Sequence, residues 1–324
     1  MKHRHFLIVV ISILVASVAQ AGVVPGPLVD SNWLKANKDK VVILDVRKDT
    51  RSFTSKPVYK KNKKTGKLTL AKVAGHIPGA ILVNYKKLRG NQTINNKKIT
   101  KMLIDKATFE KLMQSIGVNK GDVIVIVSKG ESSGDMTSAT RLYWSLKYYG
   151  QDDMAILNGG MAGWLKGGGK VSNKASSSKG GNWVAGAERK EILATSADIA
   201  MAIKDKNTQL VDVRSLPQYL GTWKKSYVYA NGHINGAKSL PDELLTGPRG
   251  KASFISADKM KKVSAAMGIS TTGNMITYCN SGHLATGGWF MYHEVLGNKN
   301  VKMYDGSMHQ WTTEKGSTVD LKME

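Results

Sequence analysis

The chain has 324 residues, 48 Lys and Arg against 24 Asp and Glu, a formal net charge of +24 and a single cysteine. This length predicts two domains with a full core each, and one thiol excludes an internal disulfide framework. The charge favours anionic ligands, but the lysines are scattered and come without zinc-finger spacing or an aromatic RNA-binding motif, so we expect no nucleic-acid partner. The one dense basic run, residues 56–67, is expected to be a solvated loop.

The N-terminus has the pattern of a secretory signal peptide. A basic segment with Lys2 and Arg4 precedes an apolar run at residues 6–16, and a small-residue cleavage pattern ends at Ala21. The apolar run is too short for an ordinary membrane span. We therefore expect a signal peptide at residues 1–21, a periplasmic or secreted protein, and no stable membrane insertion after cleavage. The alternative is an uncleaved membrane anchor.

The rest of the chain contains an internal repeat, found as four motifs that recur in the same order. Each copy has a DVR motif, a GHI-x-GA motif, an apolar run and a G-x-M-x-x-W ending. These motifs lie at Asp45, His76, Ser128 and Trp164 in the first copy and at Asp212, His233, Cys279 and Trp311 in the second. The repeat predicts two similar domains, residues 22–170 and 191–324, joined by a Gly-, Ser- and Lys-rich linker at 171–190.

Strands and helices alternate within each copy. Short β-branched apolar runs such as VVILDV and MITY have the composition of buried parallel strands. Between them are helical stretches, expected at residues 106–116, 140–149, 196–204, 257–267 and 288–296. This alternation predicts an α/β fold in which each domain has a parallel sheet with helices on both faces.

The only cysteine, Cys279, follows the apolar run MITY and precedes the last predicted helix. Ligands of open parallel sheets bind beyond the carboxyl ends of the strands, and a helix N-terminus makes a thiol placed there more reactive. Ser281, Gly282 and Ala285 are small, so the backbone can close around the sulfur as an anion-binding nest. A buried structural thiol, half of an intermolecular disulfide and a metal ligand are the alternatives to a nucleophile, although the spacing to His283 matches no common zinc pattern.

With these motifs the sequence resembles the tandem rhodanese family of sulfurtransferases, which includes thiosulfate and 3-mercaptopyruvate sulfurtransferases. The resemblance covers nearly all of the chain after the signal peptide. It implies two similar α/β domains with a catalytic cysteine in the C-terminal copy only, and this chain has Ser128 where the second copy has Cys279. We expect residues 129–141 to form a longer loop in place of the tight catalytic one, so the N-terminal domain is expected to be non-catalytic.

The resemblance also implies the reaction. A thiolate at Cys279 would take a sulfane sulfur from a small anionic donor, hold it as a persulfide and pass it to a thiol or to cyanide. The loop that would cradle the persulfide comprises Asn280, Ser281, Gly282, His283, Leu284 and Ala285. No metal and no organic cofactor is implied, and a monomer is expected. The alternative is a non-enzymatic sulfur carrier or binding module with the same fold.

The sequence does not decide which compound is the sulfur donor. Ser281-Gly282 resembles the loop of mercaptopyruvate-using members, whereas the arginine pair that those members have after the second DVR motif is missing here. Lys224 and Lys225 occupy that region, and lysine does not reproduce the bidentate carboxylate grip of arginine. Both lysines are candidate substrate-binding residues, and His283 is expected to be a local cation that titrates near neutral pH.

Two further pairs of residues occupy matching positions in the two copies. Arg214 either forms a structural ion pair with Asp212 or steers the anionic donor, and it is our third candidate substrate-binding residue. His76 and His233 are present in both copies, although only one copy has a cysteine. A histidine required for the chemistry of the cysteine has no reason to occur in the copy without a cysteine. Both histidines are therefore expected to be structural.

Overall fold

The computed structural model describes residues 23–176, 179–248 and 252–321. The signal peptide predicted for residues 1–21 lies outside these ranges, as do residues 177 and 178 of the predicted linker. Within the described ranges, none of the helices has the length and apolar character that a membrane crossing requires.

The N-terminal half is built on one parallel sheet. In chain order its elements are β1 (Leu28–Val29), α1 (Ser31–Asn37), β2 (Val42–Arg47), β3 (Val58–Lys61), β4 (Leu68–Lys72), β5 (Ile81–Asn84), β6 (Arg89–Ile94), β7 (Lys97–Leu103), α2 (Lys106–Ser115), β8 (Ile124–Val127), α3 (Ser133–Tyr148), β9 (Met154–Leu157) and α4 (Gly160–Lys166). The sheet has the strand order β1-β9-β8-β2-β5, and all of its neighbouring strands are parallel. β3–β4 and β6–β7 are two antiparallel hairpins outside this sheet.

The C-terminal half has the same architecture. Its elements are β10 (Leu193–Ala194), α5 (Ser196–Asp205), β11 (Thr208–Asp212), α6 (Leu216–Leu220), β12 (His233–Ile234), β13 (Lys238–Ser239), α7 (Ala257–Ala266), β14 (Asn274–Tyr278), α8 (Ala285–Trp289), a π-helical continuation (Phe290–Val295), β15 (Val301–Tyr304), α9 (Ser307–Thr313) and β16 (Thr318–Val319). Its parallel sheet has the order β10-β15-β14-β11-β13. The predicted α/β fold with one parallel sheet in each half is confirmed.

The central strands of the two parallel sheets are buried on both faces, as their continuous apolar runs predict. In β8, Ile124 and Ile126 point into one apolar core while Val125 and Val127 point into another on the opposite face. The first of these cores extends into the C-terminal half through the packing of α3 against α8. The two halves therefore share one continuous core instead of meeting through a solvated linker alone.

Three of the predicted helices agree with the structure to within one residue, namely those at 106–116, 196–204 and 257–267. The helix predicted from residue 140 instead begins at Ser133, where Ser132 caps it by accepting a hydrogen bond from the Asp135 amide at 3.2 Å. The expected longer loop at residues 129–141 is therefore wrong. Its Ser, Gly and Thr residues suggested a loop, but Ser132 acts as a helix N-cap and most of the following residues are buried in the shared core.

The sequence predicts a solvated loop for the basic run at residues 56–67. This run is largely exposed, as expected, but it contributes the strand β3 and the turn of the β3–β4 hairpin and so is not a loop throughout. The two strands pair in register from Tyr59 with Leu70 to Lys61 with Leu68.

Each DVR motif ends in a buried ion pair. Arg47 lies 2.6 Å from Asp45 and Arg214 lies 2.5 Å from Asp212, and all four side chains are at most 1% exposed. Each arginine also donates a hydrogen bond to the carbonyl of the first glycine in its GHI-x-GA motif. The distance is 2.6 Å in the first copy and 2.8 Å in the second. These bonds hold the end of a central strand against the neighbouring turn in both copies.

The histidines of the two GHI motifs are structural, as predicted. His76 stacks on Phe53 with a ring separation of 3.7 Å, and His233 stacks on Tyr219 at 3.8 Å. Nδ1 of each histidine lies within 2.9 Å of the backbone carbonyl oxygen of the residue on which it stacks. The same arrangement occurs in the half that has no cysteine, so it serves the fold.

We predict that Arg47→Met lowers the free energy of unfolding by about 3–5 kcal/mol, because it leaves the buried carboxylate of Asp45 unpaired. Thermal or urea unfolding measures this change. The matched control is Arg51→Met, since Arg51 is 96% exposed and lies 3.7 Å from Asp49, and we expect an effect within about 0.5 kcal/mol. Equal stability of the two variants would contradict the structural role of the DVR pair.

Candidate active site between the two halves

Cys279 is placed where β14 ends and before α8 begins, as the sequence predicts. It is the only cysteine, carries no disulfide, and is 1% exposed. Its carbonyl accepts the Met308 amide at 3.0 Å, and its amide donates to the hydroxyl oxygen of Ser307 at 3.1 Å. The sulfur thus lies at the carboxyl edge of the sheet, held by the start of α9.

Ser307 connects α9 to the cysteine loop through its side chain. Its Oγ accepts hydrogen bonds from the amides of Cys279 and Gly282, at 3.1 and 3.0 Å, and donates to the Tyr304 carbonyl at 2.8 Å. The same oxygen lies 4.0 Å from the sulfur of Cys279. Ser307 has a φ of +50°, a left-handed conformation that costs about 1 kcal/mol or more in a residue with a side chain. Its three hydrogen bonds offset this cost.

The loop after Cys279 folds tightly around its own amides. Gly282 has a φ of +66°, and a Cβ there would lie 2.4 Å from Oδ1 of Asp305, so only glycine fits. Within the described part of the chain, the amides of Asn280, Ser281, His283 and Leu284 donate no hydrogen bond. Such unused amides in a tight loop are the elements of an anion-binding nest.

Two arginines of the N-terminal half hold the carbonyls of this loop. Arg89 donates from Nη2 to the Ser281 carbonyl, and Arg141 donates from Nη1 to the Gly282 carbonyl at 2.8 Å. Arg141 also pairs with Asp305 at 2.5 Å and is fully buried.

These contacts determine the direction of the loop amides. In a trans peptide unit the carbonyl oxygen and the following N–H point to opposite sides. Because Arg89 holds the Ser281 carbonyl, the Gly282 amide points the other way, toward Oγ of Ser307. By the same geometry, the hold of Arg141 on the Gly282 carbonyl turns the His283 amide away from Arg141. The N-terminal half therefore orients two peptide units of the loop after Cys279.

His283 is enclosed by groups from the other half, and the expectation that it is a local cation is wrong. Its Nε2 lies 2.8 Å from Nζ of Lys48, and its Nδ1 lies 2.6 Å from the Tyr85 hydroxyl. Burial, together with the positive charges of Lys48 and Arg89, lowers the pKa of His283 well below its usual value. The ring is neutral at neutral pH, and the local positive charge comes from Lys48, Arg89 and Arg141.

The three predicted substrate-binding residues occupy different environments. Arg214 donates hydrogen bonds to the carboxylate of Asp212 and to the Gly232 carbonyl, which corresponds to the structural ion pair and not to a donor-steering role. Lys224 donates to the Val228 carbonyl at 3.0 Å. Lys225 packs on Trp223, with its Nζ 4.7 Å from the ring centroid, and its charge contributes to the lowered pKa of Lys101, whose main cause is burial.

Lys101 and Tyr227 add a further cationic and aromatic pair beside the loop. The ammonium nitrogen of Lys101 lies 3.4 Å from the ring centroid of Tyr227. Burial raises the pKa of Tyr227, and a hydrogen bond from Ser281 opposes that rise. Lys101 belongs to the N-terminal half and Tyr227 to the C-terminal half, so this pair also lies across the interface.

The sequence reasoning missed Lys48, Arg89, Lys101, Arg141 and Ser307. A signal for Ser307 was available, because the G-x-M-x-x-W motif has glycine at this position in the first copy, Gly160, and serine in the second. The four cations carry no such signal, since they act on a loop that lies far away in sequence and in the other half.

Comparison with known proteins identifies the family. Residues 30–167 and 195–314 each match the model of the rhodanese-like domain. A relative from Haloferax volcanii named "Putative thiosulfate sulfurtransferase" is 30% identical over 250 residues, which are 76% of this chain and 83% of the relative. The sulfur carrier protein TtuD of Thermus thermophilus is 26% identical over 300 residues, 89% of this chain and 94% of that protein.

Solved structures share the fold. SseA from Escherichia coli, described as a 3-mercaptopyruvate sulfotransferase, aligns with a TM-score of 0.68 and 24% identity over 87% of this chain and 98% of its own. The anaerobic ergothioneine biosynthesis enzyme from Chlorobium limicola aligns with a TM-score of 0.70 and 18% identity over 90% of this chain and 70% of its own. At these identities the likeness concerns the fold.

We predict that Arg141→Met and Arg89→Met each shift the pH dependence of Cys279 alkylation by iodoacetamide to higher pH. Without these side chains the loop carbonyls are no longer held, and the amides that stabilise a thiolate lose their orientation. The control is Arg189→Met, which removes a partly exposed ion pair with Asp152. Two arginines are tested because Arg141 is fully buried and its loss can unfold the protein. Profiles of both variants that coincide with the control would contradict the orienting role.

Proposed function

The chain belongs to the rhodanese-like family and is a sulfurtransferase of that type, and from this premise we propose that it transfers a sulfane sulfur from a small anionic donor through a persulfide on Cys279. The observation that carries the proposal is the single thiol at a strand end, enclosed by a loop with four uncommitted amides. Residues of both halves complete the site.

The proposed cycle has two displacements at sulfur and needs no external oxidant or reductant. The Cys279 thiolate attacks the outer sulfur of the donor, a new S–S bond forms, and the bond from that sulfur to the rest of the donor breaks with its electron pair going to the leaving group. A thiol or cyanide then attacks the terminal sulfur of the persulfide, and the Cys279 thiolate leaves. Each step places negative charge near the loop, where oriented N–H groups stabilise it.

The cations around the loop favour thiosulfate as the donor. The guanidinium of Arg89 is engaged with the Ser281 and Lys101 carbonyls, and that of Arg141 with Asp305 and the Gly282 carbonyl. Arg89 therefore has no free edge for a bidentate grip on a carboxylate such as that of 3-mercaptopyruvate. Nε and Nη2 of Arg141 have no hydrogen-bond partner among the described residues, but this side chain is fully buried and does not present them to solvent. The ammonium groups of Lys48, Lys101 and Lys225 are compact point charges, which suit a compact dianion.

A sulfur carrier is the second candidate, and it is supported by the burial of the thiol. Cys279 is 1% exposed, so a persulfide there would be shielded from solvent. The relative from Thermus thermophilus is named a sulfur carrier protein. A carrier would accept one sulfur and release it to a specific protein partner, whereas the enzyme turns over many times with cyanide.

Export is also part of the proposal, and it rests on the sequence of residues 1–21. We propose that the protein acts in the periplasm or outside the cell. The intact mass of the protein recovered from its native compartment tests this, because cleavage after Ala21 gives a chain that begins at Gly22.

We predict that incubation with thiosulfate adds one sulfur atom to the wild-type chain and none to Cys279→Ser, as measured by intact mass. Cyanide should remove the added sulfur and form thiocyanate. The control is Ser128→Ala, which changes the matching residue of the first copy and should not alter loading. A Cys279→Ser chain that still gains a sulfur would refute the persulfide assignment.

We predict that kcat/KM with cyanide as acceptor is roughly tenfold or more higher for thiosulfate than for 3-mercaptopyruvate. Between about pH 5.5 and 8.5 the profiles of the wild type and of His283→Asn should show no difference near the ordinary histidine pKa, because burial and the charges of Lys48 and Arg89 lower the pKa of His283 well below that value. Steady-state kinetics over this pH range measure both quantities.

The possible results separate the two candidates. A preference for 3-mercaptopyruvate would overturn the donor assignment. If the wild-type pH profile showed a step near the ordinary histidine pKa and this step disappeared in His283→Asn, the conclusion that the His283 ring is neutral would be wrong. Loading by thiosulfate without turnover would favour the carrier.

A further inference from the structure

Most of the excess positive charge of this protein lies in one segment. Residues 50–104 contain fourteen Lys and Arg and no Asp or Glu, against a net charge of +24 for the whole chain. Three of these cations, Arg89, Lys97 and Lys101, contact the C-terminal half. Seven of the fourteen lie elsewhere, in the β3–β4 hairpin and its flanking residues.

This lysine hairpin, residues 56–72, projects from the N-terminal half. Every residue from 58 to 69 is exposed, so both faces of the two-stranded ribbon are open to solvent. Its anchor is Leu70, which packs against the second apolar core of the N-terminal half. A two-stranded hairpin is at best marginally stable by itself, and here packing supports only its base.

The charges of the hairpin are not compensated within the protein. Its lysines are Lys56, Lys60, Lys61, Lys63, Lys64, Lys67 and Lys72. Among the described residues, no carboxylate lies within ion-pair distance of any of them. Seven like charges on one short ribbon repel one another, and an external anionic surface would relieve that repulsion.

The hairpin also exposes apolar side chains among its lysines. Leu68 is 63% exposed, and Val58 and Tyr59 are each 44% exposed. Directly opposite residues of an antiparallel pair share a face, so Tyr59 and Leu70 lie on the same face of the ribbon as Lys61 and Leu68. Apolar and cationic side chains together are typical of surfaces that enter the headgroup region of a bilayer.

We infer that the lysine hairpin docks the protein on an anionic lipid surface. The ammonium groups would lie among lipid phosphates, and Leu68 and Tyr59 would enter the boundary with the acyl chains. Nucleic acid fits less well, because a phosphate backbone offers nothing to Leu68 and Val58, and the hairpin contains no arginine to read base edges. The attachment is peripheral and is independent of the sulfur chemistry.

The test is sedimentation with vesicles, using the chain that begins at Gly22 because residues 6–16 are themselves apolar. Phosphatidylglycerol-containing vesicles are compared with pure phosphatidylcholine vesicles, at about 0.05 M and 0.5 M salt. The hairpin variant is Lys60→Gln, Lys61→Gln, Lys63→Gln and Lys64→Gln together. The matched control removes the same charge from exposed lysines of the C-terminal half, Lys204→Gln, Lys206→Gln, Lys259→Gln and Lys262→Gln.

We expect the wild type and the control to bind anionic vesicles at low salt, and the hairpin variant to bind about a hundredfold more weakly. Leu68→Ser should weaken the binding that persists at high salt. Equal loss in the hairpin variant and the control would overturn the proposal, since binding would then follow net charge alone. Failure of the wild type to bind would overturn it too. Tighter binding to duplex DNA than to vesicles, lost in the hairpin variant, would assign the surface to nucleic acid instead.

Discussion

One buried guanidinium connects the N-terminal half to both the loop after Cys279 and the residues just before α9. Arg141 comes from α3 of the N-terminal half and donates to both Asp305 and the Gly282 carbonyl in the C-terminal half. A buried charge that loses its partner costs several kcal/mol, so α3, the loop and the start of α9 are fixed relative to one another. The C-terminal half does not hold the loop after Cys279 alone. The copy without a cysteine contributes to the geometry of this loop through its arginines.

The interface between the halves combines two kinds of contact with different consequences. Where α3 packs on α8, apolar side chains such as Tyr143 and Phe290 lie in edge-to-face contact with ring centroids 5.0 Å apart. Burial of apolar area of this kind supplies the free energy of association. Buried ionic contacts contribute little net free energy once desolvation is counted, but they are sensitive to direction and distance. The apolar part therefore holds the halves together, and the arginines orient the loop.

The parts of the structure that could be predicted from sequence are those set by local pattern or by repetition. Apolar runs gave the strands, and comparison of the two copies gave the domain architecture and the position of Cys279. The cations of the site could not be found in this way, because Arg89 and Arg141 meet the loop at sequence separations of 192 and 141 residues. His283 was misjudged for the same reason. Its pKa is set by burial and by Lys48 and Arg89, which belong to the other half.

The two copies share one backbone arrangement around the strand end that carries Ser128 or Cys279. In both, the carbonyl of the residue after the strand accepts a hydrogen bond from a methionine amide in the helix that follows the next strand: Met161 donates to Ser128 at 2.7 Å and Met308 to Cys279 at 3.0 Å. The left-handed turn is also shared, with φ of +54° at Gly160 and +50° at Ser307. At Gly160 a Cβ would lie 2.4 Å from the Ser128 carbonyl, so the first copy has no room for a side chain. In the second copy the same position carries a hydroxyl that binds two loop amides. On a common backbone, therefore, the two copies differ in the thiol of Cys279 and in the hydroxyl that binds the loop after it.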